Sequence, residues 1–238
     1  MKRLTILAAA FAVCVLSKAQ SDSYTMQVYL SGGDVKSYQV SEVDSVVFAE
    51  ADDGSASSDT TYISGYAAVD LGLSVKWATC NIGADSPEDY GDYFAWGETE
   101  TKDEYTESNS VTYGVEMDDF SGNAEYDAAT ANRGGSWRMP TSDELKELFD
   151  DCTWTWTRQN GVNGYLVTGP NANSIFLPAA GYRNGTSLDD AGSYGRYWSS
   201  SPGINNYYAY FLDFNSSMRS LTYISYRTSG RTVRPVSE

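Results

Sequence analysis

Gly134-Gly135-Ser136-Trp137-Arg138-Met139-Pro140-Thr141-Ser142-Asp143-Glu144-Leu145 is the stretch from which the fold is read. Its second half spells a helix start. Thr141 stands at the N-cap and Glu144 three residues on, the reciprocal pair that satisfies two otherwise orphaned backbone N–H groups. Pro140 lies just outside, where a missing N–H costs nothing. Leu145, Leu148 and Phe149 follow at i, i+3 and i+4, so the spacing predicts an amphipathic helix over 142–151 with one face on a core. Trp137 and Met139 on the incoming segment are expected beside that face.

Working outward, Asp127 to Asn132 reads as a second, shorter helix stopped by Gly134-Gly135. Short strand-like runs surround the pair: two about a glycine turn within 68–78, another over 91–98, then 153–157, 164–168 and 174–181, with β segments and turns from Tyr194 onward. Residues 100–123 are acidic and polar, with Tyr105, Tyr113 and Phe120 as isolated anchors, and are read as a long loop. Two short helices among many short strands predict an α+β domain over 65–238. Ahead of it, 20–50 alternates like a small β-hairpin appendage turning at Gly32-Gly33-Asp34, and 51–64 is a polar linker.

Residues 1–19 have a charged start at Lys2 and Arg3, an apolar run from Leu4 to Leu16, and the small-x-small site Ser17-Lys18-Ala19. That pattern predicts a cleaved secretory signal, hence a secreted or cell-surface protein without membrane insertion after cleavage. A lipoprotein alternative would acylate Cys14, but Phe11-Ala12-Val13 matches its small-residue preference poorly. Loss of Lys2, Arg3 and Lys18 moves the formal charge from −16 to −19. Such acidity excludes nucleic acid and anionic membrane surfaces as partners. The acidity is uneven: residues 183–238 hold six basic and four acidic side chains. In an oxidising compartment Cys80 and Cys152 are expected to form one disulfide, with two separate buried thiols as the alternative.

Six blocks then occur in order: Trp77-Ala78-Thr79-Cys80-Asn81, Tyr93-Phe94-Ala95-Trp96-Gly97-Glu98, Trp137-Arg138-Met139-Pro140-Thr141, Ile175-Phe176-Leu177-Pro178-Ala179-Ala180-Gly181, Tyr197-Trp198-Ser199-Ser200 and Gly230-Arg231-Thr232-Val233-Arg234-Pro235-Val236. Together they resemble the Fibrobacter succinogenes major paralogous (FISUMP) domain over about residues 65–236. The resemblance implies a C-type-lectin-like fold and an exported or surface-displayed protein, with no settled activity. Formylglycine-generating enzymes of related fold need a late cysteine pair, and iron-dependent sulfoxide synthases need histidine ligands. This chain has no cysteine after Cys152 and no histidine at all.

No nucleophile–base pair is assembled by the sequence, so no catalytic residue is expected. The paired carboxylates Asp118-Asp119, Asp150-Asp151 and Asp189-Asp190 are read as solvated loop charge; calcium is the one cation they suit, and no residue is assigned to it. Trp154 and Trp156 share one strand face, where two readings stay open: sugar stacking, or packing against the second helix. The favoured surface is the last quarter, where Tyr, Ser, Asn and Gly fill 27 of 56 positions, a composition like that of antibody loops. Along 207–214 the pleat is expected to bury Tyr208, Tyr210, Leu212 and Phe214 and to turn Tyr207, Ala209, Phe211 and Asp213 outward. With Tyr194, Arg196, Arg219, Tyr223 and Ser225 nearby, this face is expected to bind a glycan or a protein. A structural domain with no separate ligand is the alternative. A variable receptor is another, since Asn205, Asn206 and Asn215 suit retroelement diversification.

Overall fold

The computed structural model describes residues 60–221 and 225–238 in full, with the backbone of Thr25–Tyr29, Val35–Gln39 and Ile224. The signal segment, Cys14, most of the linker and Tyr223 lie outside the described residues. The chain divides into two units, Met1–Val46 and Val47–Glu238. In the first, β1 (Thr25–Tyr29) and β2 (Val35–Gln39) form an antiparallel hairpin with Thr25 opposite Gln39 and Tyr29 opposite Val35.

The second unit carries β3 (Thr60–Ile63), β4 (Tyr66–Asp70), β5 (Lys76–Ala78), α1 (Ala128–Arg133), α2 (Ser142–Asp151), β6 (Thr153–Gln159), β7 (Val162–Thr168), β8 (Ser174–Pro178), β9 (Tyr182–Asn184), β10 (Ser187–Asp189), β11 (Tyr194–Pro202), β12 (Tyr208–Asn215), β13 (Arg219–Ser220), β14 (Ile224–Tyr226) and β15 (Val236–Ser237). The strands form several small antiparallel sheets: β15-β5-β4-β3, β6-β7-β8, β9 with β10, and β11-β12-β13 with β14 also on β12. The α+β C-type-lectin-like expectation is corrected here. Helices α1 and α2 have six and ten residues, and the rest of the regular structure is antiparallel strand apart from a 3-10 turn at Glu107–Asn109. The protein is β-rich.

Both helices begin as their residues dictate. Thr141 Oγ1 accepts the Glu144 N–H at 3.2 Å and Glu144 Oε2 accepts the Thr141 N–H at 2.8 Å, closing the capping box. Arg138 donates to both Glu144 oxygens, at 2.8 and 2.6 Å. At α1 the buried Asp127 carboxylate accepts from the N–H groups of Ala129 and Thr130, and also from Gly122 and Met139, so the same group caps the helix and ties in the incoming Arg-Met-Pro segment. Gly134, at φ +66°, ends α1 in a conformation that suits glycine.

Sheet β11-β12 is buried on both faces. Tyr197, Leu212 and Phe214 join Leu145 and Leu148 of α2, with Tyr165, Val167, Ile175 and Leu177, in one core cluster. Trp198, Ala209 and Phe211 face the other way into a cluster with Phe94, Trp96, Phe120, Met139 and Val233. Gly195 permits this packing, because a Cβ there would stand 1.9 Å from the Phe214 ring. Trp154 and Trp156 pack against the first cluster, edge-on to Tyr165 at 5.4 and 5.1 Å.

Segment 91–98, expected as a strand, is instead an extended run with one bridge, Phe94 to Arg231. It lies along the closing segment, with Phe94 N–H donating to Arg231 O and Trp96 N–H to Arg227 O, while Ile82 N–H donates to Val233 O. From that closing segment Arg227, Arg231 and Arg234 turn inward, each 2 % exposed or less. Among the described residues none of the three makes a salt bridge. Arg234 donates to Asn81 Oδ1 and to the carbonyls of Ala78, Thr79 and Phe176.

Candidate functional site

Arg227 builds the surface most suited to recognition. Its guanidinium lies 4.1 Å over the Trp96 ring and donates to the carbonyls of Thr112, Val115 and Tyr208. Burial lowers its pKa to about 10, so it stays cationic at neutral pH. Thr112 is fixed in turn by its hydroxyl on Trp96 O at 2.5 Å, and the two loops close through Gly114 N–H on Asn206 O and Arg227 N–H on Tyr207 O. The result is a group of tyrosines held by backbone they do not share. Tyr113 meets Tyr207 at 4.9 Å and Tyr226 at 6.2 Å, and Tyr226 meets Tyr208 at 4.8 Å. Tyr207 and Tyr226 remain 46 % and 48 % exposed.

One carboxylate meets these rings, and others line the cleft beside them. Tyr113 donates its hydroxyl to Glu107 Oε1 at 2.9 Å, and that bond holds the phenol pKa up to about 12. Val111 and Val115, both exposed, flank Tyr113 and line a cleft of about 330 Å³ with Met117, Phe120, Glu116 and Asp118. Asp119, also in its lining, is structural: its carboxylate accepts from the hydroxyls of Ser200 and Ser201 and from Ser121 N–H. Among the described residues no group of three or more His, Cys, Asp or Glu side chains could hold a metal ion.

The face expected to gather Tyr194, Arg196, Tyr207, Phe211, Asp213, Arg219, Tyr223 and Ser225 is divided by the structure. Tyr207 belongs to the tyrosine group. Phe211 and Asp213 are not outward but 5 % and 7 % exposed, because β12 has a core on each side. Ala209 is buried with them, whereas Tyr208 and Tyr210 are only half-buried. Phe211 and Ser225 wall in Arg231, whose guanidinium lies 3.9 Å from the Phe211 ring centre, 4.5 Å from that of Trp198, and donates to Ser225 Oγ. Asp213 pairs with Arg196, which also pairs with Asp190 and stacks on Tyr182 and Tyr194. Arg219 lies apart, over Phe149 and Trp154. Tyr223 is outside the described residues. The Cys80–Cys152 disulfide is also corrected: both are free thiols, Cys152 capping the end of α2 in the larger core and Cys80 half-buried after β5.

The family described as Domain of unknown function (DUF8237) matches residues 145–236. The match starts inside α2 and ends in β15, so it takes in the β11-β12 sheet and all three buried arginines of the closing segment. It does not extend to a FISUMP or C-type-lectin family. No curated protein and no solved structure matches the chain.

Sequence reasoning missed Tyr113, Tyr226 and Arg227. Tyr113 and Tyr226 are 113 residues apart in the chain, and nothing local pairs them. The available signal was the arginine-rich closing segment, whose cations outnumber its acids.

Proposed function

We propose that the mature chain is an exported recognition module that binds a basic segment of a protein partner through the Tyr113–Tyr207–Tyr226 face and the acid-rimmed cleft beside it. The observation that carries this reading is the pair of half-exposed rings, Tyr207 and Tyr226, on a frame ordered by a buried arginine. Exposed aromatic groups of this kind need a reason, and rigid tyrosines give contact area at small entropic cost. Glu107, Glu116 and Asp118 supply the charge that selects Lys or Arg over acidic side chains, and tyrosine faces add cation–π attraction. The pattern of residues 1–19 supports export.

The test is an array of Lys- and Arg-containing dodecapeptides, probed with the mature chain and with a Tyr207→Ala/Tyr226→Ala variant. Each tyrosine is worth roughly 1–2 kcal/mol at such a site, so the variant should bind at least about tenfold more weakly. Binding should weaken with added salt. Capture of no basic peptide, or equal capture by both proteins, would overturn the reading.

A further inference from the structure

At the opposite end of β12 lies a cleft of about 380 Å³ whose lining is Trp156, Asn163, Gly192, Ser193, Tyr194 and Asn215 to Ser217. That volume is in the range of small-ligand sites, about 300–1,000 Å³. The lining holds no Asp, Glu, Lys, Arg or His, in a chain of net charge −16. A neutral wall in so acidic a protein offers an ionic ligand no counter-charge of its own, the adjacent Arg196 being already paired with Asp190 and Asp213.

The polar groups are set by the fold rather than left to rotate. Asn215 Oδ1 accepts three donors, the N–H and hydroxyl of Ser217 at 2.8 and 2.9 Å and the N–H of Met218 at 3.0 Å. Its NH2 is thereby turned away from the turn and makes no hydrogen bond among the described residues. Asn163 is fixed in the reverse sense: its NH2 donates to Gly192 O at 3.0 Å, leaving its Oδ1 as an acceptor. One wall therefore offers an amide donor and another an amide acceptor, with the Ser193 and Ser216 hydroxyls able to serve as either. Two rings complete the site. Trp156 borders the cleft and meets Tyr165 and Phe214 in T-shaped contacts, at 76° and 74°, rather than in parallel stacks. Tyr194, opposite Asn215 in the ladder, is braced by Arg196 at 4.9 Å.

We infer that this cleft is a binding site for a neutral saccharide. A pyranose ring has apolar C–H faces that lie on aromatic rings, and vicinal hydroxyls that each donate and accept. The lining matches both features and matches no charged group. This site is distinct from the tyrosine face, and the inference does not rest on it.

The test uses the mature chain on an array of neutral oligosaccharides of hexoses and N-acetylhexosamines, with sialylated and sulfated counterparts. Asn215→Asp keeps the three bonds accepted by Oδ1 and removes the donor, so it separates binding from folding. Trp156→Ala removes the stacking face. Both variants should lose at least tenfold in affinity for a neutral glycan that the parent captures, while Tyr207→Ala/Tyr226→Ala retains it. Capture of no neutral glycan, capture confined to the acidic members, or binding unchanged in Asn215→Asp would each overturn the assignment. Peptide binding lost in Asn215→Asp, with no glycan bound, would reassign the cleft to a polypeptide and likewise overturn it.

Discussion

The start of α2 and the tyrosine face are both ordered by an arginine, and they are built in opposite ways. At α2 the arginine and its partners lie within seven residues: Arg138, Thr141 and Glu144 satisfy one another. At the tyrosine face Arg227 reaches back 115 residues to Thr112 O and 112 residues to Val115 O. The segment it reaches has no strand and only the 3-10 turn at Glu107–Asn109. A helix start organises what is already near. A buried guanidinium with five fixed donors can instead collect carbonyls from loops with no ladder of their own. The tyrosine face therefore depends on one side chain far more than the helix does.

The sharpest way to break that contrast is Arg227→Met, which keeps much of the apolar stem over Trp96 and removes every donor. The carbonyls of Thr112 and Tyr208 would keep the N–H groups of Val115 and Gly203, while the part-buried Val115 carbonyl loses the guanidinium with no such replacement among the described residues. At about 1–3 kcal/mol for the one unsatisfied group and about 1 kcal/mol for each further bond lost, with partial relief by water, the expected loss of unfolding free energy is about 2–4 kcal/mol. Urea unfolding measures it, and basic-peptide binding should fall with it. A loss under about 1 kcal/mol would show that the loops hold themselves.

Thr141→Ala is the matching change at α2, with an expected loss of only about 1 kcal/mol by the same measurement. Its neighbour adds a pH signature. Burial raises the Glu144 pKa, but the hydrogen bonds from Arg138 and the Thr141 backbone outweigh it and hold the carboxyl below its ordinary value. A folded-state pKa below the unfolded one means that the stabilisation is complete above the unfolded value, about 4.3, and is lost as the pH falls through the folded one. Glu144→Gln should therefore flatten the acid limb of the stability curve and leave Arg227-dependent binding untouched. An unchanged acid limb would remove Glu144 from the account.

These same regions show why some of the molecule is legible in the chain and some is not. Thr141, Glu144, Leu145 and Leu148 carry their meaning in spacing, and α2 lies where that spacing puts it, as do β6 to β8 after it. Strand β12 misleads because period-two alternation marks an inward face only when the other face meets water. Here Ala209 and Phe211 enter one core and Leu212 and Phe214 another. The buried arginines mislead differently. An arginine is expected beside a carboxylate or in solvent, and Arg227 and Arg234 are satisfied by carbonyls, which leave no trace in residue type. The neutral cleft is half legible: Trp156 and Tyr194 each stand out in the sequence, but only the fold sets them around one space.

The smallest expected effect bears on whether the two regions are joined. Cys152 closes α2, and Cys80 sits where Arg133 accepts its place in the other half by donating to the Cys80 and Asn81 carbonyls. A disulfide between them would couple the local and the long-range construction covalently and constrain the unfolded chain by several kcal/mol. The structure has two thiols instead. A reductant should then leave the thermal midpoint of the mature chain unchanged within about 1 °C, since no cross-link exists to be removed. Maleimide labelling should find the half-buried Cys80 first. Cys152 is buried, and that burial raises its thiol pKa to about 11, which starves it of reactive thiolate. A fall of several degrees on reduction, or a cross-linked peptide in the unreduced digest, would mean that the helix and the arginine-held loops are one covalent frame. In that case Arg227→Met should also cost less in the oxidised protein than in the reduced one, because the cross-link would hold part of what the guanidinium gathers.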